Sequence, residues 1–218
     1  MNGTLSEIFA LSIVIGGVIA IFRIRRADPV YYPFILLIWM ATLNEILSGA
    51  LMRSGYPTIV NNNIYVLLES LTIIWFFKKL KTVFTGNAFF FGLVASFILF
   101  WIVENLIISR ITAISYYFRI YYSFAIVICS ITTVNYLIVT AKRSIIKMPV
   151  FLICIGLIVF FTYKILLEAF WVYGLMNNSR DFRINVYTIL IYLNLFVNLL
   201  FALAILWIPR KREYMLLS

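Results

Sequence analysis

Seven long apolar stretches, separated by short polar segments, make up most of the chain. They lie at about residues 6–22, 30–52, 62–77, 86–108, 112–140, 148–175 and 184–208. A helix needs roughly 20 apolar residues to cross the hydrocarbon core of a bilayer, and each stretch is near that length. The pattern therefore predicts an all-α membrane protein: one integral domain, a bundle of seven transmembrane helices, with no soluble domain.

The composition supports this prediction. The chain is 64% hydrophobic and 12% charged, whereas soluble domains are roughly half apolar and about a quarter charged. We therefore expect a multi-pass protein whose main partner is the lipid bilayer, and no nucleic-acid partner despite the net charge of +10. The richness in Ile, Phe, Asn, Tyr and Lys favours a bacterial cytoplasmic (inner) membrane.

The basic residues alternate between the two sides of the predicted membrane. One side carries Arg23, Arg25, Arg26, Lys78, Lys79, Lys81, Lys142, Arg143, Lys147, Arg210, Lys211 and Arg212. The other side carries Arg53, Arg110, Arg180 and Arg183. Because short cytoplasmic loops accumulate Lys and Arg, this asymmetry predicts that the N-terminus lies outside and the C-terminus in the cytoplasm.

Small residues recur at four-residue spacing in two stretches. Ser12, Gly16 and Ala20 lie in the first, and Gly92 and Ser96 in the fourth. Such spacing is typical of close helix contacts. We expect close packing at both places, either within the molecule or across a homodimer face.

Two segments echo each other. The third stretch opens with Asn63-Ile-Tyr and the seventh with Asn185-Val-Tyr. The echo is consistent with a parallel 3+1+3 repeat, in which the first three spans correspond to the last three. Because so few positions match, chance explains the echo equally well.

Six ionisable side chains fall inside the predicted spans: Glu45, Glu69, Glu104, Arg119, Lys164 and Glu168. With the predicted orientation, all six lie in the outer half of the membrane, in a slab on the order of 10–15 Å thick. Charges at this depth face the bundle interior or water, and they commonly mark binding or transport sites. We therefore expect an outward-facing, polar and acidic chamber that is closed at its inner end.

Helical spacing adds polar neighbours to these charges, because residues three or four apart share a helix face. Tyr65 shares a face with Glu69, Asn44 precedes Glu45, and Asn194 lies on the polar stripe of the seventh span. The candidate ligand-binding residues are Glu45, Glu69, Lys164, Glu168, Arg119, Glu104, Asn44, Asn194 and Tyr65. We assign no metal site.

Counting charges gives the expected chemistry of the chamber. Four carboxylates face two cations, so full ionisation would leave two negative charges. Some Glu side chains are then protonated, water fills the chamber, or a cation binds there. We predict the pairs Lys164–Glu168 and Arg119–Glu104, which leaves Glu45 and Glu69 for a ligand or a proton. Alternatively, the polar groups only hold helices together.

The chain contains no histidine, which removes the commonest general base and metal ligand. We therefore expect neither an enzyme nor a cofactor. Cys129 and Cys154 lie inside predicted spans and predict no disulfide framework. The seven-span layout with an external N-terminus resembles that of the microbial rhodopsins, but residues 184–208 contain no lysine to carry retinal. Retinal is therefore not expected.

Three functions remain open. The first is a receptor or sensor that binds a small cationic or zwitterionic ligand from outside and signals through a membrane partner protein. The second is a small proton-coupled transporter or channel. The third is a structural or assembly subunit of a larger membrane complex.

Overall fold

The computed structural model describes residues 12–84, 86–140 and 144–209, and this part of the chain contains helices and no strand. The main helices are α1 (Ile13–Arg23), α2 (Tyr32–Arg53), α3 (Ile59–Leu80), α4 (Asn87–Ile102), α5 (Tyr116–Thr140), α6 (Pro149–Val172) and α7 (Arg180–Trp207). A π-helical turn, Val103–Ile108, extends α4. A one-turn helix, Leu175–Asn178, links α6 to α7.

Within the residues that the structure describes, six helical segments are long and apolar enough to cross a membrane, so this is a multi-pass membrane protein. They are Pro29–Arg53, Ile59–Leu80, Asn87–Ile108, Tyr116–Thr140, Pro149–Val172 and Arg180–Trp207. Helix α1 is described over 11 residues, and the start of the predicted first span lies outside the described residues. The same holds for Lys142, Arg143, Arg210, Lys211 and Arg212.

Helix α4 lies outside a ring formed by the other six helices. Around the ring, α1 contacts α2, α2 contacts α3, α3 contacts α5, α5 contacts α6, α6 contacts α7, and α7 returns to α1. Helix α4 packs mainly on α3 and α5. Of the most apolar 18-residue stretch of α4 with its π-helical extension, 17% is buried inside the protein, against 44% for α3 and for α6. The protein interior is therefore enclosed by the ring.

The predicted close packing within the molecule is confirmed at Gly16 and is absent at Gly92, where the alternative of a homodimer face stays a prediction. A Cβ atom at Gly16 would lie 3.5 Å from Ile38 and 3.7 Å from Ile205, so α1 packs tightly between α2 and α7. A Cβ atom at Gly92 would meet nothing within 4 Å. The reason is that Gly92 belongs to the peripheral helix α4.

Gly156 is the tightest of these contacts, and its substitution should be destabilising. A Cβ atom here would lie 2.5 Å from Cε1 of Phe201, and that ring is held edge-on against Phe34 with centroids 5.3 Å apart. We expect Gly156→Ala to reduce the free energy of unfolding by about 1–3 kcal/mol, because the ring must move in a filled core. Chemical denaturation in detergent micelles measures this.

Gly92→Ala is the matched control. It introduces the same methyl group at a position where the new Cβ atom would have no atom of another helix within 4 Å. Alanine is the better helix former by up to about 1 kcal/mol, so this variant should be neutral or slightly more stable. Equal losses for both variants would show that the α6–α7 contact is not tightly packed.

Candidate functional site

Three ring helices meet at the carboxylate of Glu69 in α3. Its Oε1 accepts a hydrogen bond from the Tyr65 hydroxyl at 3.0 Å. Its Oε2 accepts from the Tyr122 hydroxyl of α5 at 2.6 Å and from Lys164 Nζ of α6 at 3.2 Å. The side chain is buried, so these donors replace the water that the carboxylate would otherwise bind.

Lys164 carries its ammonium into an aromatic surround. Nζ donates to the Tyr122 hydroxyl at 2.5 Å as well as to Glu69. It lies 5.1 Å from the ring centroid of Tyr122, 5.6 Å from that of Phe160 and 5.4 Å from that of Phe161. The distances to the two phenylalanine rings are within the roughly 6 Å range of cation–π attraction, whereas Tyr122 is contacted through its hydroxyl. One carboxylate, one phenol hydroxyl and two phenylalanine rings therefore surround the ammonium group.

A second ion pair joins the first turn of α5 to the last turns of α6. Arg119 Nη1 lies 3.4 Å from Oε1 of Glu168, and Arg119 Nη2 donates to Asn63 Oδ1 at 3.3 Å. Glu168 is 3% exposed. The Nε atom of Arg119 is buried and has no hydrogen-bond partner among the described residues. The guanidinium thus keeps one donor free beside a buried carboxylate.

Asn63 holds the segment between α4 and α5 in place. Its Nδ2 donates to the carbonyl oxygens of Ile111 at 2.9 Å and Ala113 at 2.7 Å. Its Oδ1 accepts from the Ser115 hydroxyl at 3.1 Å in addition to Arg119. Neither Asn63 nor Tyr122 is among the candidate residues predicted from the sequence. Tyr122 carried a signal, three residues beyond Arg119; Asn63 is 120° away from Glu69 on an ideal helix and carried none.

Glu104 caps a helix rather than pairing with a cation. Its two oxygens accept from the backbone N–H groups of Tyr117 at 3.0 Å and Phe118 at 2.5 Å, in the first turn of α5. The first N–H groups of a helix lack partners within the helix, and a carboxylate is favoured there. The predicted pair Arg119–Glu104 is therefore wrong.

The predicted pair Lys164–Glu168 is also wrong, although the two residues are one turn apart on α6. Lys164 pairs with Glu69 and Arg119 pairs with Glu168, because α3 and α5 present partners across the helix interfaces. The prediction that Glu69 lacks a cation partner is therefore wrong. Glu45 does lack one, since within the described residues it makes no ion pair and no hydrogen bond.

A cavity of about 150 Å³ lies at mid-length of the ring helices and is called the central cavity here. Its polar lining consists of Glu45, Tyr65, Glu69, Lys164, Asn194 and Asn198. Aliphatic and aromatic side chains such as Ile38, Leu157 and Phe201 form the remaining wall. The Glu45 carboxylate therefore faces a small space with one polar wall and one apolar wall.

A second cavity, of about 220 Å³, adjoins the first and lies nearer the end of the bundle that carries residues 109–115. Arg119, Glu168, Tyr116, Trp171 and Tyr187 line it. Lys164, Phe160 and Asn194 line both cavities and form the wall between them.

The structure brings seven of the nine candidate residues to these two cavities. Glu45, Glu69, Tyr65, Lys164 and Asn194 line the central one, and Arg119 and Glu168 line the second. Glu104 and Asn44 lie elsewhere. Asn44 Oδ1 accepts from Asn61 Nδ2 at 2.8 Å, and the same Nδ2 donates to Ser48 at 3.0 Å. Asn44 thus belongs to an α2–α3 contact.

No family model, no curated protein and no solved structure matches this chain. The chemistry of the two cavities therefore carries the functional argument.

The two cavities combine groups that interact with positive charge and groups that interact with hydrocarbon. An unpaired carboxylate attracts positive charge, and an apolar wall accepts a hydrocarbon body. Aromatic faces add further attraction for ammonium groups. Within the described residues, no three Asp, Glu or Cys side chains come together as metal ligands would.

Proposed function

We propose that this chain is a receptor or sensor with seven transmembrane helices, an external N-terminus and a cytoplasmic C-terminus. Support for a seventh span comes from α1, which packs against α2 and α7 and continues the apolar stretch that begins near residue 6. Support for the orientation comes from the alternating basic residues. Arg23 Nη2 donates to the Ile208 carbonyl at 2.9 Å, which agrees with one shared end for the segments after α1 and α7.

The proposed ligand is a small organic cation with an apolar body, bound in the central cavity. The observation that carries this proposal is Glu45, a half-buried carboxylate that lines the cavity and forms no ion pair in the described part of the chain. A dry protein cavity of about 150 Å³ holds a molecule of about the size of benzene. The ligand is therefore small, with one positive group directed toward the wall that carries Glu45 and Glu69.

A receptor role follows from which helices line the cavity. Residues from α1, α2, α3, α6 and α7 all contribute to its wall. A ligand that binds one arrangement of these helices more tightly than another shifts the equilibrium between the two arrangements. The signal would pass to a membrane partner protein, and we propose no catalytic activity.

The test is ligand-dependent stabilisation of the purified full-length chain by benzylammonium, with benzyl alcohol as the neutral analogue. A ligand at 100 times its dissociation constant stabilises the folded state by about 2.7 kcal/mol. We expect benzylammonium to raise the unfolding midpoint of the wild type and to lose this effect in Glu45→Gln. Thermal unfolding in detergent micelles, with ionic strength held constant, measures both.

Asp181→Asn is the matched control, because it removes an exposed carboxylate from the first turn of α7. It should leave the benzylammonium response unchanged. The proposal fails if benzylammonium and benzyl alcohol act alike on the wild type, or if Glu45→Gln responds as the wild type does.

A transporter is the second candidate, and the adjoining second cavity is the observation that favours it. The two cavities adjoin at Lys164, Phe160 and Asn194, as consecutive binding sites along a transport pathway would. Benzylammonium flux into proteoliposomes that follows an imposed pH gradient would support transport. Binding without flux would support the receptor.

A further inference from the structure

We propose that the ammonium of Lys164 occupies a site built for the ligand's own ammonium, and that ligand binding displaces it. The inference rests on the proposed function, because it names the chemical group that the central cavity recognises and the residue that competes for it. The ligand class it specifies is a primary ammonium carrying N–H donors, as distinct from a quaternary ammonium or a metal ion.

The surroundings of Lys164 Nζ are those of an ammonium receptor. The Glu69 carboxylate lies 3.2 Å away and the Tyr122 hydroxyl 2.5 Å away, and both accept hydrogen bonds from Nζ. The rings of Phe160 and Phe161 lie on other sides of Nζ, at 5.6 and 5.4 Å from their centroids. Such a group of oxygen acceptors and rings binds any small ammonium that can donate hydrogen bonds.

The same carboxylate also faces the central cavity. Glu69 and Glu45 both line it, so a cation that enters the cavity lies between two carboxylates, one of them already bound to Lys164. Two ammonium groups at one carboxylate repel each other. A ligand ammonium at Glu69 therefore drives Lys164 away.

Lys164 has a second position available. Its side chain lines the second cavity, together with Glu168, which lies one helical turn further along α6. Residues four apart on a helix have Cβ atoms about 6 Å apart, within reach of a lysine and a glutamate. The lysine can thus exchange Glu69 for Glu168 by a change of rotamer, and Arg119 would then share Glu168 with it. Ligand binding in the central cavity would thereby change the ion pair that Arg119 of α5 makes with Glu168.

The first test is rescue of Lys164→Ala by n-propylammonium, which replaces the deleted atoms from Cγ to Nζ. The substitution should lower the unfolding midpoint of the full-length protein. Saturating n-propylammonium should restore about half of that loss or more. 1-Propanol, which lacks the charge, and tetramethylammonium, which lacks N–H donors, should restore none of it at matched ionic strength.

Lys78→Ala is the control, because Lys78 lies outside both cavities and donates to Gly86 and Asn87. It should show no response to n-propylammonium. Equal effects of n-propylammonium and tetramethylammonium on Lys164→Ala would overturn the proposal.

The second test uses Lys164→Gln, whose side-chain amide keeps a donor to Glu69 and so protects the fold if the alanine variant cannot be purified. Removal of the competing cation should tighten benzylammonium binding by 10-fold or more, measured by calorimetry. An affinity equal to or weaker than that of the wild type would overturn the displacement.

The two proposals fail separately. If n-propylammonium rescues Lys164→Ala but benzylammonium does not stabilise the wild type, the ammonium site remains and the receptor function is lost. If benzylammonium stabilises the wild type through Glu45 but neither Lys164 variant behaves as described, the function remains and the displacement is wrong.

Discussion

Lys164→Met is expected to lower the free energy of unfolding by about 3–5 kcal/mol, because it leaves a buried carboxylate without its cation. Glu69 is 6% exposed, and Lys164 is its ion-pair partner at 3.2 Å. Methionine keeps most of the side-chain volume, so the loss reports on charge more than on packing. Chemical denaturation of the full-length protein in detergent micelles gives the value.

A double-mutant cycle isolates this effect. Glu69→Gln combined with Lys164→Met removes both charges and leaves an amide that Tyr122 and Tyr65 can still contact. Its loss should be smaller than that of Lys164→Met alone, since no unpaired charge remains. Losses that simply add would show that the pair does not hold α3 to α6. Lys78→Met, at a largely exposed hydrogen bond, should cost no more than about 1 kcal/mol.

The helices were predictable because hydropathy decides where a chain can cross hydrocarbon. Helix α4 begins at Asn87 and α6 at Pro149, against predicted starts at 86 and 148. Helix α3 is longer than the predicted 62–77 and runs from Ile59 to Leu80. The apolar pattern omitted its two polar ends, whereas backbone hydrogen bonding continues through Asn61 and Lys79 into the interface region.

The set of polar residues was largely predictable, but their partners were not. Burial of a charge in an apolar span signals a protected location, and Glu69, Glu168 and Glu104 are indeed buried. Pairing depends on how each helix is rotated and tilted against its neighbours. Lys164 and Glu168 share a face of α6, yet each finds its partner on another helix. Local spacing carries no information about that choice.

The helix order around the ring could not be read from the chain either. Consecutive membrane-crossing helices are compatible with many arrangements, and the peripheral place of α4 follows from its few contacts with other helices. For this reason the spacing at Gly92 did not reveal that this residue has no neighbour within the molecule. Asn63 was missed because its function depends on Ile111 and Ala113, backbone groups that only the folded segment brings to it.

Arg119→Met is the second substitution with a large expected effect, again about 3–5 kcal/mol. It strands the carboxylate of Glu168, which is 3% exposed and lies 3.4 Å from Nη1 of the guanidinium. It also removes the hydrogen bond that Arg119 Nη2 donates to Asn63 Oδ1 at 3.3 Å. Denaturant titration in micelles should therefore show a loss close to that of Lys164→Met, although the two ion pairs lie on different carboxylates.

Arg119→Lys separates the charge from the geometry. Lysine keeps a positive charge near Glu168, but its single ammonium cannot place two donors as the guanidinium does toward Glu168 and Asn63. We expect a loss of about 1–2 kcal/mol, clearly below that of methionine. Arg180→Met, at an exposed position at the start of α7, should stay within about 0.5 kcal/mol of the wild type. If lysine and methionine at position 119 cost the same, the hydrogen bond to Asn63 carries the stability and the charge of Arg119 does not, so the second cavity would tolerate an unpaired carboxylate as the central cavity does at Glu45.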